Sequence, residues 1–169
     1  YTRRFVIDRG VQHGVLAGQP VIDTYGVIGQ VTRVLPLSAE VTLLTDRNAA
    51  IPVEIRRTAQ RSIAFGGAEP DLLELRFLSA GSDLREGDVL VTSGLDGVYP
   101  PGLPVGQVAR VEPSASSASF SRVLVTPVTS VDRSRAVLVL QVDRKALPPP
   151  IPTEASDVGR RRRGREGGR

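Results

Sequence analysis

Cysteine, methionine and tryptophan are absent from the 169 residues, and histidine occurs once. Without cysteine there is no disulfide, no thiolate zinc site and no thiol nucleophile, and the redox compartment stays undecided. A single imidazole excludes any multi-histidine metal site. Aromatic residues make up 4% of a chain that is 40% apolar, so a core has to be built from Val, Leu, Ile and Ala, which favours sheets. No apolar run reaches the length of about 18 residues that a membrane-spanning helix needs. The chain begins at Tyr1 and carries no methionine, so it is expected to be an internal fragment whose natural start bore a signal or an anchor.

The net charge of +4 and the isoelectric point of 10.3 point toward nucleic acid until their distribution is considered. Residues 145–169 hold Lys145 and six arginines against Glu154, Asp157 and Glu166, which accounts for the whole excess. Residues 1–144 are neutral and lack the basic footprint that phosphate binding requires, so no nucleic-acid partner is expected. Pro148, Pro149, Pro150 and Pro152, followed by an arginine- and glycine-rich end, predict a disordered tail over 145–169. The run Arg160–Arg163 reads as a solvated face, with binding of an acidic surface as its alternative.

The stretch LREGDVLVTSGLDGVYPPGLPVGQVARV, residues 84–111, organises the rest. Its β-branched runs, Val89–Thr92 and Val105–Val111, alternate as pleated strands do. Gly94, Gly97, Pro100, Pro101, Gly102 and Pro104 exclude helix between them, so the link is a shaped loop. An earlier phrase repeats the pattern: Gly18, Val21 and Ile22 lead to Gly29, Gln30 and Val31 as Gly87, Leu90 and Val91 lead to Gly106, Gln107 and Val108. The offset grows from 69 residues at Gly18 to 77 at Gly29, so the loop is what differs between two related β units.

Further strands are predicted at Phe5–Ile7, Pro20–Ile22, Val27–Leu35, Ser62–Gly66, around Leu73, Leu75 and Phe77, at Val123–Thr126 and at Ala136–Val142. Asp23 to Gly26 reads as a hairpin turn with Gly26 at positive φ. Leu37, Val41 and Leu44 fit a helix face as well as a strand, and the short Val- and Thr-rich run favours strand for Val41–Thr45. Ile51, Val53 and Ile55 alternate cleanly, and Pro52 marks them as an edge strand able to pair across subunits. The class is all-β.

Candidate sites follow from these elements. His13, Asp46 and Ser93 occur in the chain order of a chymotrypsin-like triad, but Ser93 sits in TSGLDG rather than the GDSGG that supplies nucleophile and oxyanion donors, so a serine hydrolase is the secondary reading. Neither glycine phosphate-loop pattern occurs, and Asp83, Glu86, Asp88 and Asp96 lack calcium-loop spacing. No cofactor and no metal are expected. Tyr99 on its proline-stiffened loop has the profile of an interface anchor, with folding back onto its own barrel equally compatible; Tyr25 at the hairpin tip and Phe120 after a serine linker carry the same alternatives.

In order and spacing, VIDRGVQHGVLAGQPVI, GVIGQVTRV, VTLLTDRNAAIPV and GDVLVTSGLDGVYPPGLPVGQV resemble the extracytoplasmic domain of the MreC family of rod shape-determining proteins, over about residues 5–142. The most specific parts are TSGLDGVYPPGLPVG and LLTDRNAAIPV. The resemblance implies two small six-stranded β-barrels in tandem, distantly trypsin-like but without the triad. They are assigned to residues 1–80 and 81–144, with exchanged strands or insertion of one lobe in the other left open. It implies a non-enzymatic scaffold of cell elongation that self-associates and contacts MreD and a class B penicillin-binding transpeptidase, held outside the cytoplasmic membrane by an N-terminal helix expected to be absent from this fragment. On the family motif fall Gly10, Gly14, Gly18, Gly29, Asp46, Gly87, Ser93, Gly94, Gly97, Gly102 and Gly106, with structural roles at turns and close backbone approaches. A polyanion-binding domain working through the basic tail is the other alternative.

Overall fold

The computed structural model describes residues 3–67, 69–76, 78, 81–112 and 122–141. The expectations for Phe77, Phe120, Val142 and the tail lie outside the described residues. Among the described residues eleven strands account for the regular structure: β1 (Arg4–Ile7), β2 (Pro20–Ile22), β3 (Val27–Val34), β4 (Ala39–Leu43), β5 (Ala50–Ile55), β6 (Arg61–Gly66), β7 (Leu73–Arg76), β8 (Val89–Thr92), β9 (Pro104–Glu112), β10 (Arg122–Pro127) and β11 (Leu138–Val139). Two single 3-10 turns, Val11–His13 and Val131–Arg133, are the only helical pieces among the described residues.

All pairings are antiparallel and fall into two sheets. One is a closed barrel in the order β10-β7-β6-β5-β8-β9. The other is a five-stranded open sheet in the order β1-β4-β3-β2-β11. The first lobe is therefore not the six-stranded barrel expected from the resemblance. Nor do the sheets divide at residue 80: β5, β6 and β7 belong with the barrel, and β11 returns to the first sheet, so the barrel is inserted between β4 and β11.

Each lobe has its own core. Ile51, Val53, Ile55, Leu73, Leu75, Leu90, Val105, Val123 and Val125 fill the barrel, and Ile7, Val21, Ile28, Val31 and Val41 line the sheet. These are the inward positions of alternating strands, as the β5 pattern eBiBiB illustrates. Val27, on β3, packs into the barrel core and joins the two.

The repeat seen in the sequence is reproduced bond for bond. Gly18 N donates to Val31 O at 2.7 Å and Gly87 N to Val108 O at 2.8 Å; Val31 N donates to Gln19 O and Val108 N to Asp88 O, both at 2.9 Å. Gln30 Nε2 donates to Gly18 O at 3.0 Å, and Gln107 Nε2 to Gly87 O at 2.9 Å. Register shifts recur between Val21 and Ile22 and between Leu90 and Val91. The unit β2-β3-β4 thus returns as β8-β9-β10, and the insertion sits in the loop, as the changing offset required.

One local expectation is corrected and one is met. Pro52 does not mark an edge, because β5 pairs with both β6 and β8; the β8 ladder covers only Val53–Ile55, and Pro52 contributes its carbonyl, which accepts from Ser93 N at 3.1 Å. Gly26 has the positive φ expected of it, 159°, and space demands glycine there as well: a Cβ would lie 2.2 Å from Pro104 O.

Candidate functional site

The long loop between β8 and β9 is built around Thr92, which is 1% exposed. Its N–H donates to Leu103 O at 2.8 Å, its carbonyl accepts from Gly102 N at 2.8 Å, and its Oγ1 accepts from Leu103 N at 2.9 Å while donating to Pro100 O. Asp96 Oδ1 caps the loop's far side by accepting from Val98 N at 3.0 Å and Tyr99 N at 3.2 Å. Gly94, Gly97 and Gly102, at φ 74°, 65° and 88°, make three left-handed bends that a side chain would strain.

This scaffold turns Tyr99 inward. The ring is 4% exposed and belongs to the barrel core, so Tyr99 is not the exposed anchor considered from the sequence. Burial, with a smaller contribution from Asp96, pushes its phenol well above the usual tyrosine range. Tyr25, by contrast, is 61% exposed at the tip of the β2–β3 hairpin. Asp23 holds that tip, accepting from Tyr25 N at 2.8 Å and Gly26 N at 3.0 Å on Oδ1 and from the Thr129 and Ser134 hydroxyls on Oδ2. Burial pulls the Asp23 carboxyl upward, but these four donors outweigh it and hold it below its ordinary value.

The three triad candidates are not brought together. His13 is exposed in the first 3-10 turn, where its Nδ1 accepts from Gly10 N at 3.1 Å. Asp46, 1% exposed, accepts from Arg3 N at 2.7 Å and Asn48 N at 2.9 Å, fastening the start of β1 to the crossing into the barrel. Desolvation works against its charge, and the backbone donors keep its carboxyl low nonetheless. Ser93 lies in the barrel loop and its Oγ accepts from Leu95 N at 3.4 Å. No hydrogen bond joins any two of these three among the described residues.

The motif glycines divide between two uses. A Cβ on Gly10 would meet Leu35 O at 2.1 Å, on Gly29 Thr42 O at 2.2 Å, and on Gly106 Val125 Cγ1 at 2.6 Å and Thr126 O at 2.7 Å. Gly14, Gly18, Gly87 and Gly97 sit with Gly94 and Gly102 at positive φ.

Sequence reading passed over two features. Val11, Leu35 and Leu37 are 57%, 45% and 62% exposed, and Val11 N donates to Leu35 O at 3.0 Å, so an apolar patch is held at one end of the first lobe. Apolar residues beside Pro36 and Gly10, where turns usually carry polar ones, were the signal. The second feature is a clamp: Arg57 Nε and Nη2 donate to the Asp88 carboxylate at 2.8 and 2.9 Å, and Nη1 donates to Asp83 Oδ2 at 2.6 Å. It ties the loop leading into β8 to the β5–β6 turn, so Asp83 and Asp88 brace the barrel. No cluster of metal-binding side chains occurs among the described residues.

A family model described as rod shape-determining protein MreC, barrel core, matches residues 1–141. The chain belongs to the MreC family. It is 40% identical over 163 residues to the cell shape-determining protein MreC of Escherichia coli (strain K12), a match covering 96% of this chain and 44% of the relative. The chain thus spans less than half the length of that curated relative. The crystal structure of MreC from Pseudomonas aeruginosa aligns with a TM-score of 0.79 at 42% identity, over 83% of this chain and 90% of that one. MreC from Helicobacter pylori, solved in a complex with penicillin-binding protein PBP2, shares the fold with a TM-score of 0.58 at 19% identity, over 70% of this chain and 73% of that one. No helix among the described residues is long and apolar enough to cross a membrane.

Proposed function

We propose that this chain is a non-enzymatic scaffold of the cell-elongation machinery, working outside the cytoplasmic membrane on a protein anchored there by an N-terminal helix. It self-associates and holds peptidoglycan-synthesis proteins, a class B penicillin-binding transpeptidase and MreD among them. The observation that carries this reading is the family match over residues 1–141. The use made of the polar side chains supports it: Asp23, Asp46, Asp88 and Thr92 are all engaged in holding loops. Contact with the transpeptidase falls to the exposed apolar patch of Val11, Leu35 and Leu37 and to Tyr25, because apolar groups held rigidly at turns lose little entropy on docking.

The test is binding of the purified transpeptidase to the immobilised chain by interferometry. Leu37→Asp, at a 62% exposed position, weakens binding on the order of tenfold with the melting temperature unchanged. Wild-type affinity in both Leu37→Asp and Tyr25→Ala removes the proposed contact. Hydrolysis of an ester substrate that Ser93→Ala abolishes removes the scaffold reading itself.

A further inference from the structure

The two lobes meet at a polar corner that neither the loop scaffold nor the apolar patch accounts for. A pocket of about 280 Å³ opens there, just below the roughly 300–1,000 Å³ usual for small-molecule sites. One wall is the face of the first sheet turned away from its core, with Arg4 on β1, Gln30 and Thr32 on β3 and Thr42 on β4. The other comes from Asn48, in the crossing between β4 and β5, and from Tyr99 in the β8–β9 loop.

Several polar atoms in this corner are unused. Tyr99 is 4% exposed and no hydrogen bond to its hydroxyl occurs among the described residues, yet that hydroxyl is not a buried atom without a partner. The small part of Tyr99 that reaches the surface therefore includes the hydroxyl, and the pocket it lines is where it emerges. The Asn48 side-chain amide is likewise unbonded among the described residues, since only its backbone N–H is taken by Asp46. Gln30 uses Nε2 on Gly18 O and keeps Oε1. Thr32 donates to Glu40 O at 3.4 Å and stands 3.0 Å from the Thr42 hydroxyl, which leaves the Thr42 oxygen able to accept.

The formal charges, by contrast, are already engaged. Arg4 Nη1 donates to Glu40 Oε1 at 2.6 Å, and Asp46 accepts from Arg3 N on one carboxylate oxygen and from Asn48 N on the other. An anion would have to share Arg4 with Glu40 beside the Asp46 charge, and no cluster of metal-binding side chains occurs among the described residues. The chemistry left over is neutral. Two amides and three hydroxyls around one small pocket suit a ring that carries several closely spaced hydroxyls, each both donor and acceptor. Leu44, Ala49 and Ala50 add an apolar stretch of wall, against which the C–H face of such a ring packs.

We propose that this corner is a binding site for a neutral saccharide, with one ring seated between the lobes. Tyr99 and Asn48 donate to its hydroxyls, and Gln30 and Thr42 accept from them. The test is a titration of the isotopically labelled chain with glucose, with N-acetylglucosamine and, as a charged control, with acetate, followed by backbone amide shifts in nuclear magnetic resonance. At least one sugar gives saturable shifts confined to the pocket, at Thr42, Asn48 and Ala49 among others, with a Kd on the order of 1 mM. Acetate gives none. Tyr99→Phe and Asn48→Ala, which remove one hydroxyl and one exposed amide, each raise that Kd about fivefold while the circular dichroism spectrum stays that of the wild type. The absence of a saturable shift with either sugar overturns the proposal, as do shifts scattered over the surface and wild-type affinity in either variant. An acetate response at the same amides overturns it too, because it assigns the pocket to a carboxylate held by Arg4.

Discussion

Replacing Tyr99 separates a core role from a contact role, because the two make opposite demands on the same side chain. Tyr99 is 4% exposed and packs with the barrel residues, so Tyr99→Ala leaves a cavity in the barrel core. A buried tyrosine removes roughly 150–250 Å² from water, about 4–6 kcal/mol at 25 cal/mol per Å². Aromatic-to-alanine changes in cores fall at about 3–5 kcal/mol, so a loss of about 4 kcal/mol is expected. For a chain of this size that lowers the melting temperature by roughly 8–16 °C. Tyr99 also lines a surface pocket with Gln30, Thr42 and Asn48, and its hydroxyl is not a buried group lacking a partner. Tyr99→Phe should therefore cost less than about 1 kcal/mol. Thermal melts followed by circular dichroism measure both. A Tyr99→Ala protein that melts with wild type and has lost only its partner would refute the reasoning, and so would a Tyr99→Phe protein as unstable as the alanine variant.

Three further outcomes are expected. Arg57 first, and then the Arg85 N–H, hold the Asp88 carboxyl below its usual range, so the folded state binds fewer protons there than the unfolded one. The clamp's contribution is then complete above about pH 4 and lost as pH falls through the lowered pKa: the melting-temperature gap between wild type and Asp88→Asn is wide at pH 6 and narrows in acid. Gln30→Ala and Gln107→Ala remove the same bond in the two lobes, and each should cost about 1 kcal/mol in urea denaturation, additively in the double variant. Gly94→Val meets both the strain of φ 74° and Pro101 Cβ at 3.0 Å, whereas Gly102→Val at φ 88° has open space around it. Both lower the melting temperature in differential scanning calorimetry, Gly94→Val by more.

Much of this was legible because it is local. Alternation of Val, Ile and Leu with polar residues fixed which face of each strand is buried, and the glycines and prolines of residues 94–104 excluded helix from the central loop. The duplicated glycine–glutamine–valine phrase was readable because each copy uses the same residue types for the same bonds, Gly18 and Gly87 at the bend and Gln30 and Gln107 across it. The candidate site was less legible. Tyr99 looks alike in sequence whether its loop opens outward or folds over the barrel, and the choice rests on Thr92 and Asp96 drawing the loop in.

From residues alone, then, come the all-β class, the positions of most strands, the tandem hairpin unit and the family. Which strands pair was left to the tertiary structure, since period-two patterning names a buried face and not the neighbour beside it. Pro52 could sit inside a closed barrel only because its ladder with β8 starts one residue later. The grouping of β5–β7 with β8–β10, and the seam left between β1 and β11, depend on contacts between residues far apart in the chain, where no local propensity reaches.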